Sequence, residues 1–464
     1  MKRTWRFWGA LWVSKGISWL LRLLGKKGTT LPGRVALKIH PQIIRDLASE
    51  YQEGIVIVTG TNGKTTTANL LANILRTAGK HFAFNQAGAN LVTGITGALL
   101  FNMNWRGRAK VQLALLEVDE ATVPKLCEQV KPDVAIITNF FRDQLDRYGE
   151  LDTTVKLVKN SLPMKTDLIL NADDPLVAQF GIDRQHTLYF GVDRTPESKT
   201  QSTETREARF CPQCGAPLEY RLFHYGQLGI YNCPECDFAR PKVQVLAEDV
   251  HSEEADLKFK VGVTEYTLGL QGYYNLYNAL AAITAAKRLG IREQEIERGI
   301  RQFIPQAGRM ERFLLPRGKI TLTLVKNPTG FNQVLQTVFN TEAKQVRLLI
   351  IINDLAADGR DISWLWDVQF EILGEHSDRV QEIFCSGLRA EDMALRLKYA
   401  GVPVEKLRIE HTLETAVDQL QAAATGEEPT FICPTYTALF PVREILEKRA
   451  LKEEIHARRD KSED

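Results

Sequence analysis

A chain of 464 residues with 44% hydrophobic and 25% charged side chains can build roughly two to four globular domains, and this excludes a disordered or collagen-like chain. A net charge of +2 excludes a protein that is basic or acidic throughout. The charge is uneven, however. The first 45 residues hold ten Lys and Arg, no Asp or Glu, and four of the seven Trp.

That opening stretch, "WRFWGALWVSKGISWLLRLLGKK", predicts an amphipathic helix. Trp5, Trp12 and Trp19 recur every seven residues, with Trp8 and Leu23 near the same face. The segment is too short and too charged to span a bilayer. Lys15 and Arg22 interrupt its apolar run and no small-residue cleavage site follows, so no cleavable signal peptide is expected. Two readings stay open: a helix lying in a membrane interface, or one packed on the protein's own body with a solvated basic side.

From residue 54 the texture changes. "GIVIVTG", "VQLALLEVDE", "PDVAIITNF" and "TDLILNADDP" read as buried strands, and "KTTTANLLANILRTAGK" as a helix between the first two. Alternation of this kind predicts a parallel sheet with helices on its faces, and active groups at the strand C-termini. Gly60, Glu117, Asn139 and Asn171 all follow strands in this way. The first junction, "TGTNGKTTT", departs from the usual phosphate loop, G-x-x-x-x-G-K followed by Ser or Thr. The first glycine of that pattern would fall at Val58, and the nearest is Gly60. The chemistry of a phosphate cradle is still present. Gly60 and Gly63 allow a tight turn, and the backbone N–H groups of Thr61, Asn62 and Thr66 with the helix N-terminus can face an anion. Lys64 supplies a point charge, and Thr65 a hydroxyl for Mg²⁺.

A Ser/Thr-rich charged segment, "DRTPESKTQSTETREAR", leads into the cysteines. Cys211 and Cys214 form one C-x-x-C pair, and Cys233 and Cys236 a second, eighteen residues on. This spacing predicts two knuckles around a small hairpin and a tetrahedral four-thiolate zinc site, closed and therefore structural. His224 and His251 are not needed as ligands. No basic patch flanks the cysteines, which argues against nucleic acid as a partner. Thiols used for metal suit a reducing cytosol. Strands resume at "LKFKVGVTEYTLGL", followed by the helical "NLYNALAAITAAKRLG". A last α/β unit alternates through "LLIIIND", "EIFCSG" and "PTFICPTY". The three remaining cysteines, Cys127, Cys385 and Cys433, lack glycines at nucleophile-elbow spacing and read as buried small apolar residues.

The shortened loop G-T-N-G-K-T-T resembles that of the Mur ligase family, which includes the folylpolyglutamate synthases. Further family marks follow in order. "LEVDE" places Glu117 where the family carries an Mg²⁺ carboxylate. "TNFFRDQLDRYGE" matches its T-N-x-x-x-D-H-L-D stretch through Asn139, Asp143 and Asp146, with Gln144 in place of the His. "YYNLYNALAA" is similar to the helix whose asparagines meet adenine, here Asn275 and Asn278, and "GRMER" places Arg309 like the arginine at the start of the last domain. The cysteine pairs, with "GKKGTTLPGRVALKI", "KNPTGFNQVL", "NDLAADGRDISWLWDVQFE" and "SGLRAEDMALRLKYAG", resemble one branch of the family, MurT.

The resemblance implies an α/β fold: a Mur-ligase-like central P-loop ATPase domain over 51–312 with a parallel sheet and a zinc ribbon inserted at about 205–242, and a Rossmann-like C-terminal domain over 313–464. Residues 1–50 form the basic Trp-rich segment. It also implies ATP-dependent amidation of the α-carboxylate of D-glutamate in the lipid II stem peptide, through an acyl phosphate, with Mg²⁺ and with ammonia from a GatD-like glutamine amidotransferase subunit in a heterodimer. Lys64 and Glu117 would serve that chemistry, and Asp361, with Asp358 as the alternative, would complete the partner's Cys–His pair. The lone cysteines agree, since none fits a glutaminase nucleophile. Only about fifty residues precede the loop, where ligases of nucleotide-linked precursors carry a further domain; this fits a lipid-linked substrate and a cytoplasmic protein touching the inner leaflet. Lys156 and Lys159 lie near the place of the family's carbamylated lysine, which stays unassigned, as does the choice between lipid II and an earlier precursor. Two other readings remain: an amino-acid-adding ligase working without a glutaminase, which leaves the ribbon and "DGRDISWLWD" unexplained, and a non-catalytic nucleotide-binding scaffold, which the intact loop and Glu117 oppose.

Overall fold

The computed structural model describes residues 3–23, 30–85, 89–142, 150–202, 206–253, 256–305, 307–340, 343–424 and 428–451. Asp143, Gln144 and Asp146 lie outside them. The chain forms two compact units. One comprises Met1–Phe141, Glu150–Gly269 and Tyr273–Phe303; the other comprises Arg142–Gly149, Leu270–Gly272 and Ile304–Asp464.

The first unit opens with helices α1 (Trp5–Leu23), α2 (Thr30–Ile39) and α3 (Ile43–Ala48). Its strands are β1 (Gly54–Thr59), β2 (Phe82–Phe84), β3 (Leu113–Glu117), β4 (Val134–Ile137), β5 (Asp167–Asn171) and β6 (Thr187–Val192), then β7 (Glu219–Tyr225), β8 (Leu228–Asn232), β9 (Val245–Glu253), β10 (Asp256–Val261) and β11 (Thr264–Leu268). Among the described residues nine of these make one sheet, in the order β11-β10-β9-β6-β5-β4-β1-β3-β2. Pairing is parallel from β2 to β9, while β10 and β11 add an antiparallel edge. The apolar runs of β1, β3 and β4 are buried throughout, as strands covered on both faces must be. Register sets Val58 opposite Glu117 and Thr59 opposite Ile137, so the β1, β3 and β4 exits share one edge. Helix α4 (Lys64–Thr77) leaves from that edge.

The basic opening helix has two apolar faces. Phe7, Ala10, Leu11 and Ser14 are buried, and Phe7 and Leu11 join the core that holds Ala36, Ile43, Ile57, Leu99 and Leu116. The heptad Trp stripe points outward: Trp5 is 77% exposed, Trp12 53%, Trp19 62% and Leu23 63%. Trp8 alone of the four packs against the core. The helix therefore packs on the protein's own body through one side and leaves the Trp stripe exposed on the other. No described helix is long and apolar enough to cross a membrane.

The second unit carries β12 (Glu311–Leu315), β13 (Gly318–Leu322), β14 (Val346–Ile351), β15 (Val380–Ser386), β16 (Leu407–Ile409) and β17 (Thr430–Pro434), in the order β12-β13-β17-β14-β15-β16. All neighbours are parallel except β12 with β13. Along β14, Leu348 and Ile350 enter one core with Phe331 and Phe370, while Leu349 and Ile351 enter another with Leu420 and Val442. This two-residue alternation packs helices on both faces.

Candidate active site

The loop between β1 and α4 is shaped by two glycines. Gly60 has φ +122° and Gly63 φ +85°, both in the region that disfavours side chains. A Cβ on Gly60 would lie 2.3 Å from Thr138 Oγ1, and one on Gly63 2.0 Å from Asn278 Oδ1. The loop is therefore packed between the β4 exit and the helix Tyr273–Arg288. Asn139 braces it with both ends of its amide: Oδ1 accepts from Asn62 N at 2.9 Å, and Nδ2 donates to Asn62 O at 3.0 Å. Thr138 Oγ1 donates to the same carbonyl at 2.7 Å. Thr61 N donates to Asn139 O at 2.8 Å, and Thr61 Oγ1 donates to Phe141 O at 3.1 Å.

Lys64 is buried, and its ammonium donates to Gly60 O at 2.6 Å, Thr61 O at 3.2 Å and Glu120 Oε2 at 2.8 Å. Burial pulls its pKa down, but the attraction of Glu120, Asp119 and Glu117 outweighs that and holds it above the ordinary lysine value. A permanent cation thus sits beneath the loop. Thr65 Oγ1 donates to Glu117 Oε1 at 3.1 Å, where Asn90 Nδ2 also points at 3.4 Å. Asn85 fixes the backbone of Glu117, accepting from its N–H at 2.8 Å and donating to its carbonyl at 2.7 Å. Glu120, Asn85 and Thr138 escape the motif reading. The run of acids in "LEVDE" is the signal for Glu120, because three carboxylates buried at one strand exit require a cation.

Asn275 and Asn278 are buried at the start of the helix Tyr273–Arg288, where Asn278 Nδ2 donates to Asn275 Oδ1 at 3.1 Å and Thr67 Oγ1 to Asn278 Oδ1 at 3.4 Å. The structure brings Gly60, Thr61, Asn62, Gly63, Lys64, Thr65, Thr66, Glu117, Asn139, Asn275 and Asn278 to one strand edge. Arg309 falls in the second unit, in its segment Ile304–Asp464. On the helix Leu151–Ser161, Lys156 is exposed, and burial, together with Arg184, pulls Lys159 down.

The four cysteines also converge. All their sulfurs lie within 4.8 Å of one another, with Cys211 and Cys236 3.6 Å apart and Cys214 and Cys233 3.4 Å apart. Four ligands on a tetrahedron with metal–sulfur bonds of about 2.3 Å stand about 3.8 Å apart, so the set fits a zinc-sized ion. Each pair turns tightly, Gly215 N donating to Cys211 O and Cys233 N to Phe238 O, and β7 and β8 form the hairpin between them. Cys385 and Cys433 are buried, and burial pushes each thiol up to about 12; Cys127 is pushed to about 11. Thiols held so far from ionisation carry little thiolate, the nucleophilic form.

In the second unit the two candidate aspartates differ. Asp358 is buried and spent internally: Thr437 N and Oγ1 donate to it at 2.8 and 2.6 Å, and Leu355 N at 3.2 Å. Asp361 is exposed, and Oδ1 accepts from Ser363 N at 2.8 Å. Hydrogen bonds from Ser363 hold its carboxyl below the usual range.

Residues 58–234 match the family model of the Mur ligase middle domain, and 324–439 that of the MurT ligase C-terminal domain. The lipid II isoglutaminyl synthase (glutamine-hydrolyzing) subunit MurT of Staphylococcus aureus (strain COL) is 37% identical over 96% of this chain and 98% of its own length. The subunit of that name from Streptococcus pneumoniae is 34% identical over 95% and 97%. Among solved structures, the pseudomurein peptide ligase type C of Methanothermus fervidus superposes with TM-score 0.66 at 25% identity, covering 87% of this chain and 80% of that one. MurF of Acinetobacter baumannii, at 16% identity and TM-score 0.63 over 89% and 80%, shares the fold.

Proposed function

The chain belongs to the MurT family of Mur ligases, and on that premise we propose that it is the ATP-dependent synthetase subunit of a lipid II isoglutaminyl synthase. An α-carboxylate oxygen of the stem D-glutamate attacks the γ-phosphorus of ATP, giving an acyl phosphate and ADP. Ammonia then attacks the acyl carbon. The C–N bond forms, phosphate departs with the C–O bond, and the nitrogen sheds a proton to solvent, leaving D-isoglutamine.

The Thr66 N–H and the α4 N-terminus receive phosphate oxygens, with Lys64 as the fixed charge, while the N–H groups of Thr61 and Asn62 donate to Asn139 and hold the shape of the loop. Thr65 and Glu117, already in contact, would hold Mg²⁺, which supplies charge neutralisation on the phosphates when bound. Asn275 and Asn278 belong to the adenine side, Asn139 to the brace of the loop, and Arg309 to the nucleotide set. Cys211, Cys214, Cys233 and Cys236 hold structural Zn²⁺. The partner is a GatD-like glutaminase whose Cys–His pair Asp361 completes; its exposure suits that role, and the internal bonds of Asp358 do not. The outward Trp stripe of α1 rests on the cytoplasmic leaflet that carries lipid II.

Kinship over the whole chain supports this reading most. The test supplies ATP, Mg²⁺, lipid II and glutamine to the chain alone and with a co-expressed glutaminase, and reads the product by mass. Conversion of acid to amide from glutamine only with the partner is expected. Addition of an amino-acid mass without the partner would move the chain to the amino-acid-adding ligases.

A further inference from the structure

The cysteine hairpin does not stop at its own cluster; its far end is built into the nucleotide loop's supports. At the β7–β8 tip, Gln227 is wholly buried and donates to Phe140 O at 2.5 Å and to Asp174 Oδ1 at 3.1 Å. Phe140 adjoins Asn139, the residue whose amide holds Asn62. Tyr225, on the same tip, stacks on Phe141 and meets Tyr277 edge-on. A second path runs through Asp173, which is fully buried. Arg240, just after Cys236, donates to Asp173 Oδ1 at 2.6 Å, and Tyr277 donates to Oδ2 at 2.8 Å. His224 of β7 lies 3.8 Å from Oδ2, and Gly229 N of β8 donates to the Asp173 carbonyl at 2.9 Å. Tyr277 stands on the helix between Asn275 and Asn278. The hairpin therefore touches Phe140 and Phe141, directly after the Asn139 brace, and the helix that closes on Gly63.

We propose that the ribbon is a positioning element for the nucleotide site, with Gln227 and Tyr277 as its two positioning residues, so that metal and nucleotide binding are thermodynamically coupled. The proposal rests on the reading that this loop binds ATP and the thiolates bind zinc. A two-stranded hairpin is marginal alone, and this one has a small core of Leu218, Tyr231 and Phe238 around the thiols, so the ion supplies much of its order. If the hairpin loosens, Phe140 O loses a buried donor and Asp173 loses Arg240, its close cation, and the loop supports relax with them. Coupling is reciprocal: whatever zinc does for ATP affinity, ATP must do for zinc affinity.

The experiment uses the full zinc-loaded chain. ATP affinity is measured by calorimetry with Mg²⁺, and zinc release to a chromogenic chelator is timed with and without ATP. For the native chain, ATP should slow zinc release severalfold. Gln227→Ala should keep one zinc per chain yet weaken ATP about tenfold and lose the ATP effect on release. Tyr277→Phe, which removes only a hydroxyl, should reproduce this in weaker form and covers the case in which Gln227→Ala fails to fold. ATP affinity within twofold of native in Tyr277→Phe and in any folded Gln227→Ala, or zinc release indifferent to ATP in the native chain, would overturn the coupling. A zinc-loaded native chain that binds no ATP at all would instead overturn the nucleotide reading on which it rests.

Discussion

Gly63 combines a left-handed backbone with a neighbour, Asn278 Oδ1, 2.0 Å from where a Cβ would stand. Gly63→Ala therefore strains the loop and displaces Asn278 together, a cost of about 1–3 kcal/mol. ATP should bind at least tenfold more weakly by calorimetry, while Gly79→Ala, also at positive φ but with open space around it, should leave ATP affinity alone. The two aspartates of the second unit separate in the same way. Asp361→Asn should abolish glutamine-driven amidation, leave ammonia-driven amidation intact and hardly change the melting point. Asp358→Asn replaces an oxygen that accepts buried donors and should cost about 1–3 kcal/mol of stability, read by denaturant unfolding. Motif spacing alone reached Lys64 and Thr65, because a phosphate cradle demands particular residue types at fixed offsets, whereas Glu117 was reached through the family resemblance and its place at a strand end. Spacing could not reach Asn85 or Thr138, whose roles are pairwise contacts between segments far apart in sequence, and Glu120 was signalled only by the run of buried acids in "LEVDE". Nor could it separate Asp361 from Asp358, which differ only in what surrounds them.

At the scale of elements, the parallel strands were legible because burial on both faces writes an unbroken apolar run, as in β1 and β14. The antiparallel edge of β10 and β11 was legible only as strands, since pairing direction depends on the short turn at Gly262 and not on composition. Which side of α1 the core takes stayed open in the sequence because both faces of that helix are apolar, and only packing decides between them. Asp174 ties β5 to the β7–β8 hairpin and has a pH consequence. Burial pushes its carboxyl up to about 7 against hydrogen bonds from Phe140, Gln227 and Leu176. In the unfolded chain it titrates near 3.8. The folded state therefore holds the extra proton between these values. The associated stability is fully present below the lower one and is lost as pH rises through the upper one. The melting temperature of the first unit should fall between about pH 4 and about pH 7 and level off above that, and in Asp174→Asn, which cannot ionise, that slope should flatten.

On the scale of the whole molecule, the near-neutral total conceals a sorted charge. Ten basic residues and no acid lie in the first 45, and α1, which carries Arg6, Lys15 and Arg22, turns Trp5, Trp12, Trp19 and Leu23 to solvent. Arg6 lies over Trp5 and Lys15 over Trp105, so cations border two of the exposed rings. A helix that served only to cap the core would need Phe7, Ala10 and Leu11, and its outer face could be polar; four large exposed apolar side chains on one face are a surface that a second apolar phase would cover. Amphipathic rings with a cationic border match the headgroup region of an anionic leaflet, where each basic residue contributes about 1 kcal/mol at low salt. The full chain should sediment with vesicles containing anionic lipid and not with neutral ones, and 0.5 M salt should release most of it, since screening there acts over only about 4 Å. Replacing Trp5, Trp12 and Trp19 by Ala removes the outer rings and spares the buried face, so binding should fall at least tenfold with the melting temperature unchanged. If instead the triple variant bound vesicles as before, the stripe would have to face another protein. Amidation of a short water-soluble stem peptide separates the two, because a membrane role predicts native rates on that substrate and a loss confined to lipid II presented in bilayers.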